Sequence, residues 1–324
     1  MASKRIEYID LAKGVCIILV VLNHCVTIES LSVIEYLRMP FYFFISGMFF
    51  KDYGGLRNLM QKKTNKLLIP FVFFYTLPWI VRLLFISFFP GIWVDDRSFI
   101  NDLRGCMYLN LPVWFLICLF WCNLYYYFVH KYCKNRYKIF SVIILAIIGC
   151  FLLWNRVFCP LFMFQPLLAM PFFYLGQRLR FSSLIQTEWT YKQLLFAITL
   201  IAIVVGMHVY SEDSISYIFN NYKGNLLLYY IKAIMMVIAA IIICKCVKKL
   251  PLVSYIGRYS IIVLGVHFIF VQIAYYLTNY YGHIKNEEWI LFVINIVLSI
   301  ASIPLFKTLF PHFVAQKDLL KLKD

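Results

Sequence analysis

Asp10, Lys13 and His24 stand within one apolar run, DLAKGVCIILVVLNH, residues 10–24. Inside a segment that crosses hydrocarbon, an ionisable side chain is costly unless it is paired or faces a polar cavity, so such groups mark a functional site by default. On a helix Asp10 and Lys13 are three positions apart and share a face. Lys13 and His24 are eleven apart, within about 20° of three full turns, so the three residues line one stripe. The axial distance from Lys13 to His24 is about 16 Å at 1.5 Å per residue, too far for a small group to touch both and within reach of a long one. A neutral imidazole accepts a hydroxyl proton and so serves as a general base, while Lys13 holds a negative group or pairs with Asp10. His24 sits about 22 Å along the axis from Ile9, past the middle of a bilayer.

The element that carries this stripe belongs to a chain of 324 residues that is 63% hydrophobic and 14% charged, with mean hydropathy +0.78. That composition excludes an ordinary soluble domain and predicts an integral membrane protein. Runs long enough to cross as helices, about 17–25 residues, are read at 9–28, 33–50, 67–89, 111–130, 139–156, 157–176, 192–210, 225–247, 258–281 and 288–310. The expected fold is an all-α, polytopic transmembrane helical bundle of about ten spans, one membrane domain over 1–324 with no soluble domain. The division between the fifth and sixth spans rests on Trp154, Asn155, Arg156 and Pro160.

Charge placement supports the count. With Lys4 and Arg5 on the cytoplasmic side, the inner loops hold 20 Lys and Arg and the outer loops five: Arg97, Arg104, Arg156, Lys223 and Lys285. This is the positive-inside pattern, with both termini cytoplasmic. The formal charge of +16 is spread over short loops on one side, so anionic lipid head groups are the expected partner and nucleic acid is not. The ten cysteines fall almost entirely in the spans, where Cys serves as a small apolar residue. No disulfide framework and no metal site is read. Asp10 and Lys13 interrupt the first apolar run and no small-residue cleavage site follows, so that run is expected to be retained rather than removed as a signal peptide.

Six segments in order carry a resemblance. DLAKGVCIILVVLNH resembles the first helix of the membrane acyltransferase 3 family, which has an Asp, a basic residue followed by Gly, and a His after ten intervening residues. MPFYFFISGMFFK (39–51), KKTNKLLIP (62–70), PVWFL (112–116), MPFFYLG (170–176) and IGRYSIIVLGVH (256–267) are similar to its later motifs. The first two are similar in style to the fucose 4-O-acetylase-like and exopolysaccharide O-acyltransferase branch. The basic residue is often Arg in the family and is Lys13 here, so the bidentate contact of an Arg is not expected.

The resemblance implies acyl transfer in a bacterial cytoplasmic membrane, with acetyl-CoA as the donor substrate, no permanently bound cofactor and a saccharide hydroxyl as acceptor. It implies catalytic roles for His24, Asp10 and Lys13. Lys62, Lys63 and Lys66 suit the phosphates of coenzyme A, although positive-inside charge explains them equally. Ser46 and Gly47 either leave room for the pantetheine arm or permit close helix contact. Arg38, Trp114, Arg258, Ser260 and His267 are the candidate acceptor-binding residues. Arg38 can also snorkel, Trp114 fits an aromatic belt, and His267 either binds acceptor or supports His24. Lys232, inside the eighth span, requires a carboxylate partner. The rival reading is a transporter or exporter, since buried Asp, Lys and His also build substrate and proton pathways. A third, a membrane sensor without catalysis, makes His24 dispensable.

Overall fold

The computed structural model describes residues 6–26, 29–88, 108–157, 159–219, 221–281 and 288–321. Lys4, Arg5, Arg97, Arg104, Lys285 and Lys323, which enter the charge comparison, lie outside them.

Each of the ten apolar runs holds a helix, and the fold is all-α. Helix α1 spans Glu7–Cys25. A 3-10 turn at Glu29–Ile34 leads into α2 (Glu35–Met48). Helix α3 (Leu56–Lys63) passes through a π-helical stretch, Thr64–Leu68, into α4 (Ile69–Phe88). A second 3-10 turn, Tyr108–Val113, opens α5 (Trp114–Tyr132). There follow α6 (Lys138–Trp154), α7 (Gln165–Leu179), the single turn α8 (Ser183–Gln186) and α9 (Tyr191–Tyr210). A hairpin of β1 (Ser214–Ser216) and β2 (Asn221–Lys223) precedes α10 (Leu226–Val247). The described residues end with α11 (Pro251–Arg258), α12 (Ser260–Tyr281), α13 (Glu288–Leu309) and a tail to residue 321.

Ten spans were expected, and among the described residues not every one of the ten helices reaches membrane length. Among the described residues seven helices are long and apolar enough to cross a membrane, or eight if α11 and α12 form one broken span. Helices α2 and α7 have 14 and 15 residues, about 21 and 22 Å at 1.5 Å per residue, short of a hydrocarbon layer of about 30 Å. The run at 157–176 loses its first part because Pro160 cannot continue a helix, and Leu161 and Phe162 both take φ of 53°. Their irregular stretch is held by donors from α5: the Trp121 indole donates to the Leu161 carbonyl (3.0 Å) and the Tyr125 hydroxyl to that of Met163 (3.0 Å). Irregular backbone persists at membrane depth only where side chains or other backbone satisfy it in this way.

Contacts gather into two units, the first of Met1–Leu19, Ile28–Leu59 and Trp121–Arg258, the second of Val20–Thr27, Met60–Phe120 and Tyr259–Asp324. In the first unit α2 and α7 pack backbone to backbone. A Cβ on Gly47 would lie 1.9 Å from the Phe173 carbonyl oxygen, and one on Gly176 would lie 1.9 Å from that of Phe44. Lipid gives apolar helices no hydrophobic reason to associate, so close approach over small residues supplies the attraction. Also in this unit, Lys232 of α10 is fully buried and pairs with the buried Asp213, donating as well to the Ser211 carbonyl. The carboxylate that Lys232 required is therefore Asp213. Burial works to raise the pKa of Asp213, but hydrogen bonds from Lys232, the Asn225 N–H and the Ser211 hydroxyl prevail and lower it.

In the second unit the 3-10 turn before α5 is tied to α4 and α12 by Asn110, which is fully buried and donates to the carbonyls of Phe74 and Gly265, each at 2.8 Å. In the first unit, α6 exposes an apolar stripe of Ile143, Ile144, Ile147 and Phe151.

Candidate active site

Helix α1 carries the first cluster. Asp10 is 4% exposed, and its two carboxylate oxygens lie 3.9 Å from the Lys13 ammonium and 3.9 Å from Nε of Arg258. Glycines bring these charges together. A Cβ on Gly257 would fall 1.8 Å from the Asp10 carbonyl oxygen, and one on Gly14 2.0 Å from that of Val253. Helix α11 therefore rests directly on the α1 backbone, which places Arg258 opposite Asp10. The Tyr42 hydroxyl donates to the Lys13 carbonyl at 2.9 Å, and the Lys13 ammonium lies 5.6 Å from the centre of the Phe49 ring. Two cations thus share one carboxylate, so the cluster carries a net positive charge.

The second cluster is a histidine pair. The ring centres of His24 and His267 are 5.4 Å apart, and Phe268 meets His24 edge-on at the same distance. His24 is partly exposed rather than buried, whereas His267 is fully buried. Nδ1 of His267 lies 2.8 Å from the Val263 carbonyl oxygen. A carbonyl only accepts, so Nδ1 bears the proton and Nε2 is left as an acceptor; it has no hydrogen-bond partner among the described residues. An accessible imidazole beside a buried one with a vacant lone pair is suited to moving a proton.

The third cluster is basic. The Lys62 ammonium donates to Asp318 at 2.7 Å, and the Lys66 ammonium lies 3.2 Å from the other oxygen of Asp318 and donates to the Ala315 carbonyl at 2.8 Å. The Lys62 hydrogen bond, aided by Lys66 and opposed by burial, holds the Asp318 carboxyl below its usual range. Asn65, 1% exposed, fastens the tail: its carbonyl accepts from the Leu319 and Leu320 N–H groups and its amide donates to the Leu320 carbonyl. A π-helical turn shifts the register by adding a residue and recurs at functional sites; here it directs Asn65 and Lys66 toward the tail. Lys63 is partly buried on the same helix.

The remaining expected residues are more dispersed. Ser46 accepts from the Asn123 amide at 3.2 Å, and the room left by Gly47 is filled by the backbone of α7, the packing role of the two weighed. Arg38 pairs with Glu35 at 3.4 Å. Trp114 is 7% exposed at the start of α5, and Ser260 opens α12 two residues after Arg258.

Three residues that sequence reasoning passed over hold these clusters in place, Asn110, Asn295 and Asp318, and a fourth, Asp213, pairs with Lys232 away from them. Asn295 of α13 is fully buried and its amide donates to the His267 carbonyl at 2.9 Å and to Sγ of Cys25 at 3.6 Å. A polar residue inside an apolar run was the available signal for Asn295. Asp318 carried none.

No curated protein and no solved structure matches the chain. The family model described as an acyltransferase domain, that of acyltransferase family 3, matches residues 6–307. This stretch contains the α1 charge cluster and the histidine pair, and the chain accordingly belongs to that family of membrane acyltransferases.

Proposed function

We propose that the protein moves an acetyl group from acetyl-CoA to a hydroxyl of a saccharide, part of a surface polysaccharide or of its lipid-linked precursor, in a bacterial cytoplasmic membrane with both termini inside. The observation that carries this reading is the partly exposed His24 beside the buried acceptor nitrogen of His267. In the reaction the acceptor hydroxyl gives its proton to the His24 imidazole as its oxygen bonds to the thioester carbonyl carbon. The carbon–sulfur bond then breaks, and the departing thiolate takes the proton, so His24 ends neutral. His267 steadies the charge that His24 holds between the two proton transfers. Lys62, Lys63 and Lys66 receive donor phosphates, and Lys13 and Arg258 hold a negative or polar group of a bound substrate. Arg38, Trp114 and Ser260 are assigned to the saccharide.

The test is transfer of labelled acetyl from acetyl-CoA by the purified protein. His24→Ala is expected to lower the rate by about 10² to 10⁴, the usual contribution of a general base, with insertion unchanged. Near-normal turnover in that variant removes His24 from the chemistry.

A further inference from the structure

The buried face of α13 is unusual for a helix in lipid. Its buried residues are Asn295, Ser299, Ser302 and Ile303, three of them polar, while Val293, Ile294, Val297 and Leu298 are exposed. Asn295, Ser299 and Ser302 follow the i, i+4, i+7 spacing of one face and are linked: the Ser299 hydroxyl donates to the Asn295 carbonyl oxygen at 3.2 Å, and the Ser302 hydroxyl to the Ser299 carbonyl at 2.7 Å. The chain of bonds fixes the orientation of the Asn295 side chain, with its carbonyl oxygen toward Ser299 and its amide toward α12 and α1.

The amide ends on both histidine-bearing helices. One acceptor is the carbonyl of His267 itself and the other is the thiol of Cys25, the neighbour of His24. From another side of α12, Asn110 holds the Gly265 carbonyl. A Cβ on Gly265 would lie 2.2 Å from the Phe74 ring, so this turn of α12 is seated against α4 as well. Two asparagine amides thus grip the turn that carries His267, and one of them also grips the end of α1.

We propose that Asn295 is a positioning residue for the histidine pair, setting the spacing and tilt of the His24 and His267 rings through the His267 carbonyl and the Cys25 thiol. Asn295 touches neither donor nor acceptor. The inference rests on the reading of His24 as the base, because its effect on rate passes through that imidazole. Loss of register between groups that must meet within hydrogen-bonding reach lowers the chemical step and leaves the binding of a remote donor handle unchanged. Loss of a bond that serves only as glue between helices lowers stability instead.

The experiment measures kcat, the KM for acetyl-CoA, the dependence of kcat on pH and thermal unfolding for the full chain in detergent. Asn295→Ala is expected to lower kcat by about 10²-fold with KM unchanged, and Cys25→Ala, which removes one acceptor and leaves the other, to give an intermediate value. Asn295→Asp keeps the shape but sets a carboxylate beside the pair. A carboxylate holds a proton on a neighbouring imidazole, so the acid limb of the profile moves to higher pH, by about one unit. Wild-type kcat in Asn295→Ala, or an Asn295→Asp profile that coincides with wild type, overturns the proposal. So does a fall in kcat that only tracks a fall in stability and in donor binding. Should His24→Ala retain full activity, the reading of the base fails instead, an outcome visible without any Asn295 variant.

Discussion

The carboxylate of Asp318 sits 2.7 Å from the ammonium of Lys62, a residue 256 positions earlier in the chain. The lysines assigned to donor phosphate thus already hold an anion supplied by the tail. A donor phosphate and this carboxylate compete for the same two ammonium groups, so Asp318→Asn is expected to lower the KM for acetyl-CoA several-fold. Alanine at both Lys62 and Lys66 is expected to raise it. Initial rates over a range of donor concentrations decide the matter, and an unchanged KM in all these variants takes the cluster out of donor binding.

Asp10 sits between Lys13 and Arg258, so neutralising either cation leaves a buried carboxylate with less compensation. Lys13→Met is expected to cripple kcat/KM, and Lys13→Arg to retain part of it, because charge survives while shape does not. Wild-type activity in Lys13→Met would show that this lysine serves only the ion pair.

The contact of α11 with α1 predicts a steric asymmetry among glycines. Gly257→Ala must separate two backbones and is expected to destabilise the protein by roughly 1–3 kcal/mol, the range for overpacking. Around Gly206 of α9 a Cβ would meet nothing within 4 Å, and Gly206→Ala is expected to be neutral or slightly stabilising through helix propensity. Thermal unfolding in detergent compares the two, and equal effects would contradict the close packing.

The proposal that Lys62, Lys63 and Lys66 hold acetyl-CoA, a cytoplasmic compound, requires these lysines to face the cytoplasm. On a background lacking native cysteines, a cysteine at position 62 is expected to react only with reagent applied inside. One at position 219, in the exposed hairpin between α9 and α10, is expected to react only from outside. Labelling of position 62 from outside sinks the donor assignment and favours a transporter.

The helices were legible in the sequence because a run of apolar residues of membrane length permits little else. What the runs concealed was length: Pro160 and the 3-10 entry to α2 shorten two helices without interrupting hydrophobicity. At the candidate site, the α1 stripe and His267 stood out because ionisable groups in apolar runs are costly. The same reasoning extended to neutral amides points to Asn295. The partners of these groups were hidden for a different reason. Arg258 meets Asp10, and Asp318 meets Lys62, across most of the chain, and such pairing depends on how helices pack rather than on any local spacing. Arg258, named from the sequence as a candidate acceptor-binding residue, also lies 3.9 Å from the carboxylate of Asp10.

The buried pair of Lys232 and Asp213 has a bearing on biogenesis. On insertion scales an unpaired lysine at the centre of a membrane helix costs about 2.5–3.5 kcal/mol, and Lys232 enters α10 without a carboxylate of its own helix. Its counter-charge comes from the segment that follows α9, which is synthesised first. Helix α10 therefore finds the partner of its cation only in a segment made just before it, and the ion pair ties the placement of the one to that of the other.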